Sequence, residues 1–175
     1  MPMDDARDME ADLMAMRRYA RSLARDDQDA DDVVQDALIR AIERKATYQP
    51  ERSRTRWLLA IVHNVFVSGK RREAAETRRN DRFAETLLSS VDPQQEEHVR
   101  LAEIARGFAA LPDAQRSALH LTAIEGMSYQ QAADVLGVPI GTVMSRLSRA
   151  RVALREGQTG KAGPRLRLVG EQDDQ

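Results

Sequence analysis

The chain has no cysteine among its 175 residues. That excludes disulfides, thiolate nucleophiles and the usual zinc ribbons. Aromatic residues make up only 4% of it. β-branched alternation is rare, so there is little from which to build a sheet. No stretch approaches the roughly 20 consecutive apolar residues of a membrane span. The segment from Met1 to Asp12 is acidic, with no apolar run, and does not read as a signal peptide. The three histidines, His63, His98 and His120, are isolated, and none has metal-ligand spacing to another. No glycine-rich phosphate cradle accompanies the acids of residues 26–36. The expectation is a soluble, cytoplasmic, non-catalytic protein without metal, cofactor or small-molecule substrate, and with no membrane association.

Charge is what the sequence has in quantity, and it is segregated. Net charge is only −1. Residues 1–36, however, carry 11 acids and 5 bases, residues 51–82 carry 9 bases and 4 acids, and residues 139–156 carry four arginines against one glutamate. Alternating acidic and basic surfaces suggest two kinds of partner.

The apolar pattern has a helical period nearly throughout. A first helix is expected over about 9–25, with Leu13, Met16, Ala20 and Leu23 inward and Asp8, Glu10 and Asp12 near its positive end. A second is expected over about 29–46, with Val33, Val34, Ala37, Leu38, Ala41 and Ile42 as a wide apolar face. Pro50 ends that region, because it disfavours the helical state at Gln49. A third should start near Ser53 to Arg56 and run to about Arg72, burying Trp57, Leu58, Ile61, Val62 and Val65 and loosened by Gly69. Residues 76–95 read as a linker, helical at its start. In the second half, Val99, Ala102, Ala105 and Phe108 form one stripe, and Ala114, Ala118, Leu121 and Ile124 another, stopped at Gly126. Residues 157–175 read as a disordered tail. The fold class is all-α: two small helical domains joined by a linker.

The most specific local pattern lies in residues 128–156. Ser128 and Gln131 have the spacing of a capping box. A short helix follows, Tyr129 to Leu136, and Gly137 supplies the left-handed stop. Val138 fills the angle, small Ala132 and Ala133 allow a close crossing, and a basic helix begins at Ile140. This is a helix-turn-helix, whose second helix can enter a DNA major groove. Val143, Leu147 and Ala150 should be buried. Thr142, Ser145, Arg146 and Arg149 should be exposed to base edges and phosphates.

Gly126-Met127-Ser128-Tyr129-Gln130-Gln131-Ala132-Ala133, followed by Leu136-Gly137-Val138-Pro139-Ile140-Gly141-Thr142-Val143-Met144-Ser145-Arg146-Leu147, resembles the C-terminal domain of sigma factors. Ala110-Leu111-Pro112-Asp113-Ala114-Gln115-Arg116 is similar to the start of that domain. In the first half, Asp31-Asp32-Val33-Val34-Gln35-Asp36-Ala37 resembles the sigma segment that docks on polymerase. Arg56-Trp57-Leu58-Leu59-Ala60-Ile61-Val62-His63-Asn64 with Lys70-Arg71-Arg72 resembles the segment that melts the minus-ten element. The two-domain pattern resembles the extracytoplasmic-function (ECF) group of the sigma-70 family, with no room for the extra domains of housekeeping sigma factors.

The resemblance implies residues 1–75 as the polymerase-binding and minus-ten domain and 96–156 as the minus-thirty-five domain. It implies that Asp32, Gln35 and Asp36 meet core RNA polymerase. Asn64, Lys70, Arg71 and Arg72 would contact minus-ten promoter DNA, and Thr142, Ser145, Arg146 and Arg149 the minus-thirty-five element. Trp57 falls on the apolar stripe and reads as core rather than as a base-stacking platform. The resemblance further implies transcription initiation in a stress response, control by an anti-sigma protein, and a linker threading near the polymerase cleft. Two positions depart from the family pattern: Met144, where a base is common, and Ser68, near a common aspartate. The rival reading is a stand-alone helix-turn-helix regulator that binds operator DNA without polymerase. It leaves the basic helix of the first half unused.

Overall fold

A computed structural model describes the backbone of residues 2–24, 26–79 and 96–159, and side chains over 7–24, 26–76 and 103–156. Every regular element among the described residues is helical. They are α1 (Pro2–Leu23), α2 (Asp27–Glu43), α3 (Arg54–Arg79), α4 (Glu96–Ala109), α5 (Asp113–Leu119), α6 (Tyr129–Leu136) and α7 (Ile140–Thr159). A 3-10 turn, Lys45–Thr47, follows α2, and a π turn, His120–Ile124, follows α5.

Helices α1, α2 and α3 pack on one another as the N-terminal domain. Met16, Tyr19, Ala20 and Leu23 of α1 meet Leu59 and Val62 of α3, all essentially inaccessible to solvent. Asp26 caps α2, its carboxylate accepting from the Asp29 amide at 2.8 Å. Ala30, Val34, Ala37 and Ala41 recur every three or four residues and form the buried seam of α2. Three of the four are alanines, so α2 can lie close to its neighbours.

The expected wide face of α2 is therefore narrower than its periodicity suggests. Leu38 and Ile42 are exposed, Ile42 at 76%, and Ile39 joins them. They lie beyond the alanine seam. The acids of α1 also differ from expectation. The helix begins at Pro2, so Asp8, Glu10 and Asp12 sit past the first turn, where the dipole no longer matters. Asp12 is buried instead. It accepts from the Arg54 guanidinium and the Thr55 hydroxyl, both at 2.5 Å, and ties the start of α3 to α1.

Gly69 does not loosen α3, which continues through it to Arg79. Trp57 is half-buried and packs against Tyr48, ring centroids 5.3 Å apart. Of the expected linker, residues 76–79 belong to α3 and 80–95 lie outside the described residues. Of the expected tail, 157–159 finish α7 and 160–175 lie outside them.

The C-terminal domain is α4 to α7. Leu111, Ala118, Leu121, Met127, Val135, Leu136, Val143, Leu147 and Ala150 are buried there. Three apolar residues expected inside lie outside: Ala105, Ala114 and Ile124. The π turn explains Ile124. The Glu125 amide donates back to the His120 carbonyl at 3.1 Å, five residues earlier. The wider turn swings Ile124 outward and brings Glu125 Oε1 to the edge of the His120 ring, 3.0 Å from Nε2. Ala105 and Ala114 sit on the outer sides of α4 and α5. The side chains of Val99 and Ala102 lie outside the described residues.

Candidate nucleic-acid interface

The helix-turn-helix forms as its local chemistry dictates. The Gln131 amide donates to Ser128 Oγ at 3.2 Å, and the Ser128 amide donates to Gln131 Oε1 at 3.0 Å, a reciprocal capping box. Gly137 ends α6 with φ 63°, in the left-handed region, and the Val138 amide reaches the Ala133 carbonyl at 3.1 Å. Pro139 then accepts the first amides of α7, from Thr142 and Val143. Val143, Leu147 and Ala150 face inward with Ala132 and Ala133, and Val138 packs partly buried between the helices.

Thr142, Ser145, Arg146 and Arg149 follow one another at helical spacing on the other side of α7. Ser145 and Arg149 are exposed, while Thr142 and Arg146 are half-buried. Ser145 Oγ donates to the Thr142 carbonyl at 2.9 Å, so that hydroxyl is engaged within the helix. Met144, beside them, is exposed.

On α2, Asp32, Gln35 and Asp36 are all exposed and share one face. The helical period puts Ile39 on that face and Ile42 at its edge. The outer side of α2 is thus acidic at one end and apolar at the other.

The basic residues of α3 do not share one face. Asn64 and Arg71 are seven residues apart and nearly aligned, and both are exposed. Arg72 turns toward α2 and, with Lys70, borders a groove that also contains Asp32 and Asp36. Lys70 is half-buried, its ammonium 5.6 Å from the centre of the Phe66 ring and 4.0 Å from Asp113 of α5. Lys70 and Arg71 line a second cleft, whose far wall includes Arg146 of α7.

Around that cleft stands a polar cluster that sequence reasoning missed. Tyr19 is fully buried between His63 and His120, with ring centroids 6.3 and 5.1 Å away. The Tyr19 hydroxyl lies 3.0 Å from His63 Nδ1. Burial pushes the Tyr19 phenol up. Burial, helped by the positive charge of Arg146, lowers His63 to about 4. His120 is also lowered by burial, against the pull of Glu125. Burial works against charge on Glu125, but bonds from Arg18 and His120 outweigh it and hold that carboxyl below its usual range. His63 and His120 looked isolated because Tyr19, which lies between them, is far from both in sequence.

Comparison with known proteins gives these surfaces a context. The family model described as Sigma-70 region 2 matches residues 9–76, and that described as Sigma-70, region 4 matches residues 101–154. The chain belongs to the sigma-70 family. Within that family it falls in the ECF group. It is 36% identical over 157 residues to the ECF RNA polymerase sigma factor EcfG of Rhodopseudomonas palustris, covering 88% of this chain and 86% of the relative. It is 36% identical over 125 residues to the ECF RNA polymerase sigma factor SigC of Mycobacterium tuberculosis, covering 71% and 68%. Among solved structures, it superposes on the co-crystal structure of the sigma factor RpoE in complex with the anti-sigma factor NepR from Bartonella quintana. The TM-score is 0.75 at 31% identity, over 90% of this chain and 98% of the other. Sigma factors are regulatory DNA-binding subunits, which fits a chain built of two charged helical modules. No helix among the described residues is long and apolar enough to cross a membrane.

Proposed function

We propose that this ECF sigma factor engages polymerase and the two promoter elements through three separate helices. The outer face of α2 carries Asp32, Gln35 and Asp36 and docks on core polymerase. Its exposed Leu38, Ile39 and Ile42 extend the same surface and supply the apolar part of the contact. This face carries the proposal: three large aliphatic side chains beside three polar ones, turned away from the core, need a protein partner. A stand-alone DNA-binding regulator has no use for it.

Asn64, Lys70, Arg71 and Arg72 of α3 hold the opened minus-ten strand from two sides of that helix through phosphate contacts. The α7 face of Thr142, Ser145, Arg146 and Arg149 reads the minus-thirty-five element in the major groove. Residues 1–75 and 96–156 are the functional units, joined by 76–95. The protein works in the cytoplasm, where polymerase is, and catalyses nothing itself. An anti-sigma protein holds it inactive until a stress signal arrives. The RpoE relative, solved with its anti-sigma factor, supports that partner.

Run-off transcription with purified core polymerase, with and without the chain, tests the proposal. Discrete start sites that require the chain support it, and Asp36→Arg should abolish them. No new start sites, together with nanomolar binding of duplex DNA by the chain alone, would reject it in favour of a regulator.

A further inference from the structure

The cleft between α3 and α7 holds more positive charge than its own residues balance. Lys70, Arg71 and Arg146 line it, and the one carboxylate among them is Asp113. That carboxylate is already taken: Arg116 holds it at 2.6 Å, and Lys70 stands 4.0 Å away. Among the described residues, neither Arg71 nor Arg146 has a carboxylate partner. Arg146 is half-buried, so water screens its charge incompletely. Its field reaches His63, where it adds to burial in holding the imidazole neutral at ordinary pH. The remaining wall is largely apolar, with Phe66 and Val67 of α3, Leu136 of α6 and Val138 of the turn. The cleft has a volume of about 460 Å³. An apolar concavity of a few hundred Å³ with a few convergent polar groups is the usual form of a small-molecule site.

The walls of the cleft are held in place from behind. One apolar cluster runs from Tyr19 of α1 and Val62 of α3 through Leu121 to Leu136 and Val143. Beside it, the buried Arg116 of α5 donates to the carbonyls of Ser22 and Leu23 at the end of α1, to those of Ala109 and Leu111, and to the Asp113 carboxylate. A site built in advance costs its ligand little ordering. We propose that this cleft binds a small organic anion, a phosphate monoester with an aromatic or other apolar body. The phosphate sits among Lys70, Arg71 and Arg146, and the body lies against Phe66, Val67 and Val138. A phosphate monoester brings about 1.5 to 2 negative charges at pH 7, and guanidinium forks match its oxygens in pairs. The apolar wall distinguishes such a ligand from free phosphate. Occupancy engages Arg146 and so lowers binding of the minus-thirty-five duplex. That consequence rests on the assignment of Arg146 to promoter DNA, whereas the site itself does not.

Phenyl phosphate is the probe, with inorganic phosphate and phenol as its two halves. The full chain is titrated with each while the histidine ring signals are followed by NMR. Phenyl phosphate should saturate one site and move the His63 signal, and it should bind about tenfold more tightly than either half. An anion beside the ring favours its charged form, so His63 should titrate at higher pH in the complex. Arg146→Gln should weaken binding about tenfold and Arg71→Gln by less, whereas Arg146→Lys, which keeps the charge, should retain most of it. Arg17→Gln, on an exposed position of α1 outside the cleft, should change nothing. The site is overturned if Arg146→Gln binds as the parent does while keeping its helicity. It is equally overturned if phenyl phosphate shows no preference over inorganic phosphate, or if Arg17→Gln weakens binding as much as Arg146→Gln, since either result means general attraction of anions. Binding of minus-thirty-five duplex is read separately on the same samples. A saturated His63 signal with duplex binding unchanged upholds the site and refutes the assignment of Arg146 to promoter DNA.

Discussion

The helix-turn-helix and the junction between the domains are built by opposite means. In the first, every fixing device is local: a cap three residues from its partner, a left-handed glycine, two alanines at a crossing. In the second, charged side chains find partners 94 residues away, for Arg116, and 107 residues away, for Arg18, beside an apolar core that runs across the boundary. Local devices specify a rigid shape that survives in any arrangement. Long-range contacts specify how the modules are arranged.

That contrast can be broken most forcefully at Arg116. Arg116→Ala strands four carbonyls and the Asp113 carboxylate and should cost about 3 kcal/mol, measured by urea unfolding. If the contrast holds, the α1 side of the junction loosens as well, and hydrogen exchange should rise at the end of α1. A loss confined to α5 would mean that Arg116 serves its own domain alone.

The next effect concerns pH. His63 is held neutral, at about 4 in the folded protein against 6.5 in a free chain. Above pH 6.5 the folded and unfolded forms are both neutral there, and the contribution of His63 is fully present. As pH falls through 6.5 toward 4, the unfolded state takes up a proton that the folded one refuses, so stability declines. Allowing for partial access of water to the ring, the decline is about 2 kcal/mol. His63→Gln should flatten the stability curve between pH 6.5 and 4.5. An unchanged slope would mean that the junction is insensitive to this histidine.

Gly137→Ala should cost about 1 kcal/mol, because an alanine must then adopt φ 63°. Its Cβ meets nothing within 4 Å, so the cost is conformational only. The loss should appear in thermal unfolding of the C-terminal domain, with interdomain distances unaltered. The smallest effect is a gain. Gly69→Ala in α3, also with open space around the new Cβ, should stabilise the N-terminal domain by about 0.5–1 kcal/mol.

What the sequence revealed follows the same division. The capping box, the left-handed glycine and the buried stripe of α7 were legible because each signal lies within a few residues of its partner. Leu38 and Ile42 were misplaced because periodicity shows that a helix has an apolar face but not how wide the covered part is. An exposed face that awaits a partner has the same pattern as core. Ile124 was misplaced because nothing local announces a π turn. Arg116 was visible only as part of a family resemblance, and the partners of Arg18 and His63 were invisible, because pairing across 44 to 107 residues leaves no local trace; Glu125 is only five residues from His120, but the π turn that joins them has no local signal. Of the proposed DNA contacts, the α7 set stood on one helical side, with Thr142 and Arg146 half-buried where exposure was expected. The α3 set was split between a groove toward α2 and the cleft toward α7, since Lys70, Arg71 and Arg72 are consecutive and stand about 100° apart around the helix.

The central claim is that α3 and α7 serve two separate promoter elements from one chain. Footprinting of the polymerase complex on a promoter that the chain activates tests it most directly. The account predicts two protected segments, with Arg149→Ala weakening only the upstream one and Arg71→Ala with Arg72→Ala weakening only the downstream one. Both sets of substitutions weakening the same segment would contradict it.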